Sequence, residues 1–262
     1  MNIYHYTNLD AAVKILQKDN ICFWGTRYDS MNDPTDSIYA REIVIPLFKI
    51  RVEESELDDY EKDDSEAFPY IVSFSKKEDD FYMWRTYKAD IALEFNRDIV
   101  KEYVDNDKSP SFIYFEDCEY PNDKEEMHQV FIKTLNTINQ GQGTMLSARH
   151  AIAFIKRKEF EEEHEVRLVT FDHEGTSFNE KGEIINYEIP QNIGVKTIRD
   201  KDLILYKEFR LPQEALTGII INTISDEHYE KLKSHIKLFL LQQGYRHKVK
   251  IRKTNTGNLI NF

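Results

Sequence analysis

Predicted strands and helices follow one another along this chain without the regular alternation that builds a parallel βαβ sheet. Apolar or alternating runs predict strands at residues 2–6, 21–24, 70–74, 91–95, 112–119, 165–171, 218–222 and 248–253. Helical spacing of apolar residues predicts helices over about 9–18, 37–50, 79–87, 123–139, 144–157 and 226–243. This irregular order favours an α+β fold with a mixed or antiparallel sheet over a doubly wound one.

The length and composition predict one globular domain. The chain has 262 residues, of which 40% are hydrophobic and 13% aromatic, enough to build a core rather than a disordered segment. We therefore expect a single domain over residues 1–262, with an acidic, exposed connector at about 51–67.

The charge of the chain bears on its partners and its location. A formal net charge of -12 does not favour a protein that holds nucleic acid by its phosphates, although it does not exclude one. The basic runs at 156–158 and 246–253 are interpreted as solvated faces.

Cys22 and Cys118 have no CxxC spacing, so we expect thiols in a reducing compartment. Because neither a leader-like start nor a run of 18 apolar residues is seen, we expect a cytoplasmic protein with no membrane partner.

Several common site motifs are missing from the sequence. The patterns GxGxxG, GxxxxGK[ST], HExxH and GxSxG do not occur, so neither a Rossmann turn, a P-loop, a zincin helix nor a nucleophile elbow is supported. Asp29, Asp33 and Asp36 lie in one loop but lack the spacing of a calcium loop. Carboxylates in such loops usually cap turns, and we predict no metal site.

Three segments far apart in the chain place polar side chains at the ends of predicted strands: residues 4–7, 72–75 and 163–167. If the third strand begins at Glu163, then Glu163, Glu165 and Arg167 share one face, because side chains alternate along a strand. On this segment alone, the favoured interpretation is an ion ladder on the protein surface.

The order of these and neighbouring motifs resembles the bacterial family catalogued as domain of unknown function 2971. The motifs that carry the resemblance lie at residues 4–9, 32–36, 73–75, 83–87 and 160–167. One departure is visible, since the family usually has a glycine in the turn after the Trp-x-x-Tyr helix. This chain has Lys88, Ala89 and Asp90 there.

That family in turn resembles a distant branch of the ADP-ribosyltransferase fold. The resemblance implies a single α+β domain: a split, bent, mixed or antiparallel β-sandwich, flanked by helices, that binds NAD as its substrate between two small sheets. It places His5 at the adenosine ribose, with Tyr6 and Thr7 on the same rim. It also places Ser73 and Ser75 beside the catalytic carboxylate. The aromatic partner of nicotinamide is then Tyr82, Trp84 or Tyr87.

The same resemblance gives the two glutamates catalytic roles. Cleavage of the N-glycosidic bond of NAD builds positive charge on the ribose, which a preorganised carboxylate stabilises in the transition state. Glu165 is expected to be this carboxylate, and Glu163 to orient or deprotonate the acceptor. The implied function is a mono-ADP-ribosyltransferase, or an NAD glycohydrolase when water is the acceptor, acting in a toxin or in anti-phage defence. The sequence does not identify the acceptor.

Two other hypotheses remain open. The first is a non-catalytic sensor or scaffold that binds a nucleotide or a protein partner. Its distinguishing feature would be a Glu165 that is locked to Arg167 or to another arginine. The second is a metal-dependent nuclease built from Asp29, Asp33 and the Glu-x-Glu pair, which would bind a divalent ion.

Overall fold

The computed structural model describes residues 1–17, 20–31, 42, 69–106, 112–139, 145–171, 175–178, 184–188, 193–198 and 202–256. The strands in these ranges are β1 (Asn2–Thr7), β2 (Ile21–Arg27), β3 (Pro69–Ser75), β4 (Ile91–Asn96), β5 (Phe112–Asp117), β6 (Glu165–Phe171), β7 (Gly175–Phe178), β8 (Ile184–Glu188), β9 (Ile193–Ile198), β10 (Asp202–Leu211), β11 (Leu216–Ile221) and β12 (Lys250–Lys253). The α-helices are α1 (Leu9–Ile15), α2 (Phe81–Tyr87), α3 (Arg97–Asn106), α4 (Lys124–Asn139), α5 (Met145–Phe154) and α6 (Asp226–Gln242). Short 3₁₀ helices lie at Tyr28–Ser30, Lys158–Glu163 and Gln213–Ala215.

Ten of these strands form one open, mixed sheet. The order along it is β12-β11-β4-β1-β3-β2-β10-β9, with β6 paired to β3 and β5 paired to β6. The strand pairs are antiparallel except for the parallel pair β11 and β12. The prediction of an α+β fold with a mixed sheet is therefore confirmed.

The sheet branches at β3. One edge of β3 pairs with β6 along its whole length, from Pro69 to Ser75. The other edge is shared, since Ser75 pairs with Tyr4 of β1 whereas Ile71 pairs with Thr26 of β2. As a result, β1 leads into the branch β4-β11-β12 and β2 leads into the branch β10-β9.

The hydrophobic core lies on both faces of this sheet. On the first face, α1, α3 and α6 contribute to the largest cluster, together with apolar side chains from β1 to β6, β10 and β11. On the second face, two smaller clusters form. In one of them α2 packs on β1, β4 and β11, and in the other α4 and α5 pack on β3 and β6. The side of the sheet on which a residue lies therefore decides which helices surround it.

Several boundaries differ from those predicted, for local reasons. Strand β2 was expected to close at Gly25, but it continues to Arg27. A Cβ atom at Gly25 would lie 2.2 Å from Cε2 of the Phe209 ring, so this glycine makes room for an aromatic side chain rather than forming a turn. Helix α1 ends at Ile15 rather than near residue 18. Gly175, a residue type common in turns, instead begins strand β7.

Helix α3 was missed by the sequence analysis. Its start has a recognisable local signal, because the Asn96 side chain accepts hydrogen bonds from the backbone N–H groups of Asp98 at 2.9 Å and Ile99 at 3.3 Å. Val100 and Val104, one helical turn apart, are both buried. The acidic connector at 51–67 and the loop at 32–36 lie outside the described residues, as does the predicted helix at 37–50 apart from residue 42.

Candidate functional site: a buried ion-pair cluster

The two glutamates proposed for catalysis lie on different elements. Glu165 is the first residue of β6, whereas Glu163 is the last residue of the 3₁₀ helix Lys158–Glu163. His164 separates them in a left-handed conformation, with φ 43° and ψ 49°. The strand therefore begins at Glu165, as predicted, rather than at Glu163, and the two carboxylates meet through a turn rather than through strand alternation.

Glu165 is bonded to cations through both of its carboxylate oxygens. The Arg167 side chain donates from Nε to Oε1 at 2.8 Å and from Nη2 to Oε2 at 3.3 Å. The Lys156 ammonium lies 2.7 Å from Oε2. Glu165 is 3% exposed and Arg167 only 1%, so these contacts are inside the protein. The surface ion ladder that segment 163–167 alone indicated is therefore wrong.

Lys156 joins the two carboxylates. Its ammonium also lies 2.8 Å from Oε2 of Glu163, and it is 5.0 Å from the centre of the Phe160 ring. The basic run 156–158 was interpreted as a solvated face, but Lys156 is buried. We call Lys156, Glu163, Glu165 and Arg167 the ion-pair cluster.

The two carboxyl groups of the cluster have opposite pKa shifts. Burial by itself would raise the pKa of Glu165, but the charges and hydrogen bonds of Arg167 and Lys156 outweigh it and lower the pKa to about 2. For Glu163, burial is the larger effect and raises the pKa, although Lys156 opposes it. Glu163 is therefore the first group of the pair to take up a proton when the pH falls.

Backbone groups hold the cluster in place. Nη1 of Arg167 donates to the carbonyl oxygen of Ala153, near the end of α5, at 2.6 Å. The N–H of Glu165 donates to the Tyr120 hydroxyl oxygen at 2.8 Å. The Ser75 hydroxyl donates to the carbonyl oxygen of Glu163 at 2.7 Å. Arg167, Glu165 and Glu163 are thus held by three separate parts of the chain, at Ala153, Tyr120 and Ser75 respectively.

The two predicted serines flank the cluster on the neighbouring strand. Ser73 pairs with Arg167 and Ser75 pairs with Glu165 in the antiparallel register of β3 and β6. Ser75 is buried, and its hydroxyl oxygen also accepts from the backbone N–H of Lys77 at 3.0 Å. Both hydrogen bonds of Ser75 are therefore internal to the protein.

The three candidate aromatic residues on α2 have different surroundings. Tyr87 reaches the cluster, because its hydroxyl donates to Oε2 of Glu163 at 3.1 Å while the residue remains 38% exposed. Burial of the hydroxyl, together with the charges of Glu165 and Glu163, raises the pKa of Tyr87. Tyr82 is also partly exposed. Trp84 is a core residue that donates from Nε1 to Asp79 at 2.9 Å and contacts the Tyr6 ring.

His5 lies away from the carboxylates. Its ring packs edge-on against Phe23 and Phe74, which belong to the core cluster on the first face of the sheet. Nδ1 is 2.9 Å from the carbonyl oxygen of Ser73, at the place where β1 and β2 diverge from β3. Burial lowers the pKa of His5, and the hydrogen bond with Ser73 opposes this shift.

The predicted NAD-binding residues are consequently divided between the two faces of the sheet. Side chains of β1 alternate, so His5 and Thr7 lie on the first face and Tyr6 on the second. Alternation along β6 puts Glu165 on the face opposite to its core neighbour Val166, and that is the second face. Tyr6 is buried, and its hydroxyl donates to the carbonyl oxygen of Lys77 at 2.8 Å.

The turn after α2 contains Lys88, at the place where the resemblance leads one to expect a glycine. Lys88 adopts a left-handed conformation with φ 46° and ψ 44°. Its N–H is bonded to the carbonyl oxygen of Arg85, and the N–H of Ala89 is bonded to that of Trp84 at 3.2 Å. This arrangement is a helix C-terminal cap, where glycine is the residue with the lowest conformational cost.

Neither a metal cluster nor a membrane-spanning helix is found in the part of the chain that the structure describes. Within it, no group of three or more His, Cys, Asp or Glu residues is arranged to hold a metal ion. Asp33, Asp36 and the side chain of Asp29 lie outside the described residues, so the loop of the nuclease hypothesis is not covered. No helix in the described ranges is long and apolar enough to cross a membrane.

Sequence reasoning missed two members of the site, Lys156 and Tyr120. Lys156 precedes the Glu-x-Glu segment in a run of basic residues, and nothing in its spacing indicates that it turns inward. Tyr120 lies between β5 and α4 and carries no motif. Both are brought to Glu165 by long-range packing.

Comparison with known proteins supports one part of the resemblance. No curated protein and no solved structure matches the chain. Residues 83–168 match the model of a family described as "Protein of unknown function (DUF2971)". That range begins within α2 and ends within β6, and it contains Tyr87, Lys156, Glu163, Glu165 and Arg167. The match supports the DUF2971 family for the segment that carries the ion-pair cluster.

Proposed function

We propose that this chain is a non-catalytic binding domain, a sensor or scaffold, in which Glu165 is a structural residue. The observation that carries the proposal is that both oxygens of Glu165 are bonded to buried cations. A carboxylate that acts on NAD must be free to bind the ribose and to face the charge that develops there. For Glu165 to do so, its buried bonds with Arg167 and Lys156 would have to break inside the protein, which is costly.

Other residues that resemble NAD-binding machinery also have internal partners. The His5 imidazole is bonded to Ser73, the Ser75 hydroxyl to Glu163 and Lys77, and the Trp84 indole to Asp79. These contacts tie together strands and turns of the fold. They support a role in folding for residues that the resemblance assigned to NAD.

The test follows NAD directly. Purified protein is incubated with a cell lysate and with NAD labelled on its adenylate part, and both free nicotinamide and label transfer are measured. We expect neither above the blank without protein. Release of nicotinamide by folded wild-type protein would contradict the proposal, whatever the acceptor turns out to be.

NAD cleavage through Glu163 is the second candidate function, and one observation favours it. Burial raises the pKa of Glu163, as is common for catalytic carboxyl groups, and its hydrogen-bond partner Tyr87 is partly exposed. In this candidate the chain is an ADP-ribosyltransferase, or an NAD glycohydrolase with water as acceptor, in a toxin or in anti-phage defence. The branching of the sheet at β3 is consistent with the split sheet of an ADP-ribosyltransferase-like fold.

The second candidate has its own matched variants. Glu163→Gln keeps the shape of the side chain and removes the carboxylate, and it should lower nicotinamide release by about 100- to 1000-fold. Glu159→Gln is the control, because Glu159 lies on the same 3₁₀ helix with its side chain 64% exposed. Equal release by both variants would eliminate Glu163 as the catalytic group.

A further inference from the structure

One face of the branch β2-β10-β9 carries aromatic and basic side chains that none of the motifs above includes. Tyr206 pairs with Thr26 on one side and with Gly194 on the other. Since side chains alternate, Trp24, Thr26, Gly194, Lys196 and Tyr206 project from the same side of the sheet. We call these five residues the aromatic face.

The rings of the aromatic face are stacked and accessible. Trp24 and Tyr206 are 4.5 Å apart between ring centres, with 23° between their planes. Trp24 is 40% exposed. A Cβ atom at Gly194 would lie 2.2 Å from Cζ of Tyr206, so the Tyr206 ring rests directly on the backbone of β9. Glycine at this position allows the ring to lie there, which positions the stacked pair.

Lys196 places a positive charge beside the Tyr206 ring and has no ion-pair partner among the residues that the structure describes. Its ammonium donates to the Thr26 hydroxyl at 3.3 Å and lies 6.0 Å from the centre of the Tyr206 ring. The side chain is half-buried, and burial lowers the pKa of the ammonium. None of the salt bridges between described residues includes Lys196, although the whole chain carries a net charge of -12.

The neighbouring acidic residue does not neutralise Lys196. Glu208 pairs with Trp24 in the register of β10 and β2. Its carboxylate oxygen Oε2 lies 3.0 Å from Nη2 of Arg210, two residues along the same strand. Because Glu208 and Arg210 compensate each other, the charge of Lys196 remains available to an anion from outside the described structure.

An exposed ring with a nearby ammonium suits a ligand that has a flat ring and a negative group. Bases stack on exposed aromatic side chains, and phosphate oxygens bind ammonium groups strongly. We propose that the aromatic face binds a nucleoside phosphate, with the base on Trp24 and the phosphate at Lys196. This inference rests on the proposed function as a binding domain, since it names the ligand class and the surface.

Tryptophan fluorescence gives a direct test with adenosine monophosphate as the probe. The chain has two tryptophans, and only Trp24 is accessible, since Trp84 is 1% exposed. Adenosine monophosphate should quench the fluorescence saturably. Adenosine should bind about tenfold more weakly because it lacks the phosphate, and ribose 5-phosphate should give no quenching because it lacks the base. A short adenylate oligomer is tested beside adenosine monophosphate. The comparison shows whether the aromatic face binds a free nucleotide or the end of a nucleic-acid strand.

Variants test whether the nucleotide binds at the aromatic face. Binding is measured by calorimetry, because this readout does not depend on the fluorescence of Trp24. Trp24→Ala, Lys196→Gln and Gly194→Ala should each weaken binding by about tenfold or more. Tyr103→Ala and Lys101→Gln are controls on α3, because Tyr103 is 40% exposed like Trp24 and Lys101 is an exposed lysine. These controls should bind like the wild type.

Two results would overturn the inference: no saturable quenching by adenosine monophosphate or the oligomer, or unchanged binding in both Trp24→Ala and Lys196→Gln. A failure of the nucleotide-binding test can be told apart from a failure of the NAD test. Nicotinamide release would contradict the non-catalytic proposal without affecting the quenching of Trp24. Loss of quenching would leave the structural role of Glu165 untouched.

Discussion

Arg167 and Glu165, two residues apart on β6, form a forked ion pair inside the protein. Nε of Arg167 donates to Oε1 of Glu165 at 2.8 Å and Nη2 donates to Oε2 at 3.3 Å. Arg167 is among the largest fully buried side chains of the described structure. A buried pair of this kind contributes little beyond an apolar alternative, but the loss of one partner leaves a buried charge unpaired. Glu165 pairs with both Arg167 and Lys156, whereas Glu163 pairs with Lys156. Substitutions of the two glutamates should therefore have different effects on stability.

Glu165→Gln should destabilise the protein by about 3–5 kcal/mol, because it removes the buried negative charge that Arg167 and Lys156 share. Glu163→Gln should cost about 1 kcal/mol, the value of one hydrogen bond, because Lys156 keeps Glu165 as an ionised partner and the pKa of Glu163 is already raised by burial. Urea unfolding of both variants at neutral pH measures the difference. Equal losses would show that the two carboxylates are equivalent in the fold, contrary to this expectation.

The stability that ionised Glu165 contributes should depend on pH in a defined window. Its pKa is about 2 in the folded protein and 4.5 ordinarily, so the unfolded chain takes up the proton first as the pH falls. The contribution is therefore fully present above about pH 4.5 and is lost as the pH falls towards 2. The difference in unfolding free energy between wild type and Glu165→Gln should shrink over this range. A difference that stays constant from neutral pH down to 3 would be incompatible with the lowered pKa.

Lys88→Gly should stabilise the protein by about 1 kcal/mol, because a left-handed conformation is unfavourable for a residue with a Cβ atom. Lys88→Ala removes the same charge but keeps the Cβ atom, so it should give no comparable gain. Thermal unfolding of the two variants separates the backbone effect from the loss of charge.

Gly25→Ala should destabilise the protein by about 1–3 kcal/mol, because the new methyl group overlaps the buried Phe209 ring. The substitution Phe209→Leu in the same chain should recover part of that loss by making room. A double-mutant cycle measured by urea unfolding gives the coupling between the two positions. If the losses in unfolding free energy of the two single variants simply add in the double variant, overlap with the Phe209 ring is not the cause of the destabilisation by Gly25→Ala.

Local patterns were enough to predict much of the secondary structure. The apolar run at 70–74 identified β3, and the spacing of apolar residues identified α2, α4 and α6. Side-chain caps such as Asn8 at α1, whose oxygen accepts from Ala11 at 2.8 Å, act within one turn. The motifs at 83–87 and 160–167 also indicated the DUF2971 family, which the match over residues 83–168 supports.

The burial and ion pairing of the site could not be predicted from such local patterns. Alternation predicted that Glu165 and Arg167 share a face, but not whether that face meets water or the helices α4 and α5. It also gave no sign that Lys156 enters the core between two carboxylates. His5 and Glu165 were expected to contact the same NAD molecule, and the two lie on opposite faces because the registers at β3 set their sides.

The sequence by itself thus determined most of the described strands and helices and which residues alternate together, since these depend on neighbours within a few positions. Only the tertiary structure decided that Glu165 is enclosed by Arg167 and Lys156. Burial and ion pairing depend on groups brought together from distant parts of the chain, and their balance fixes the charge and the availability of a carboxylate.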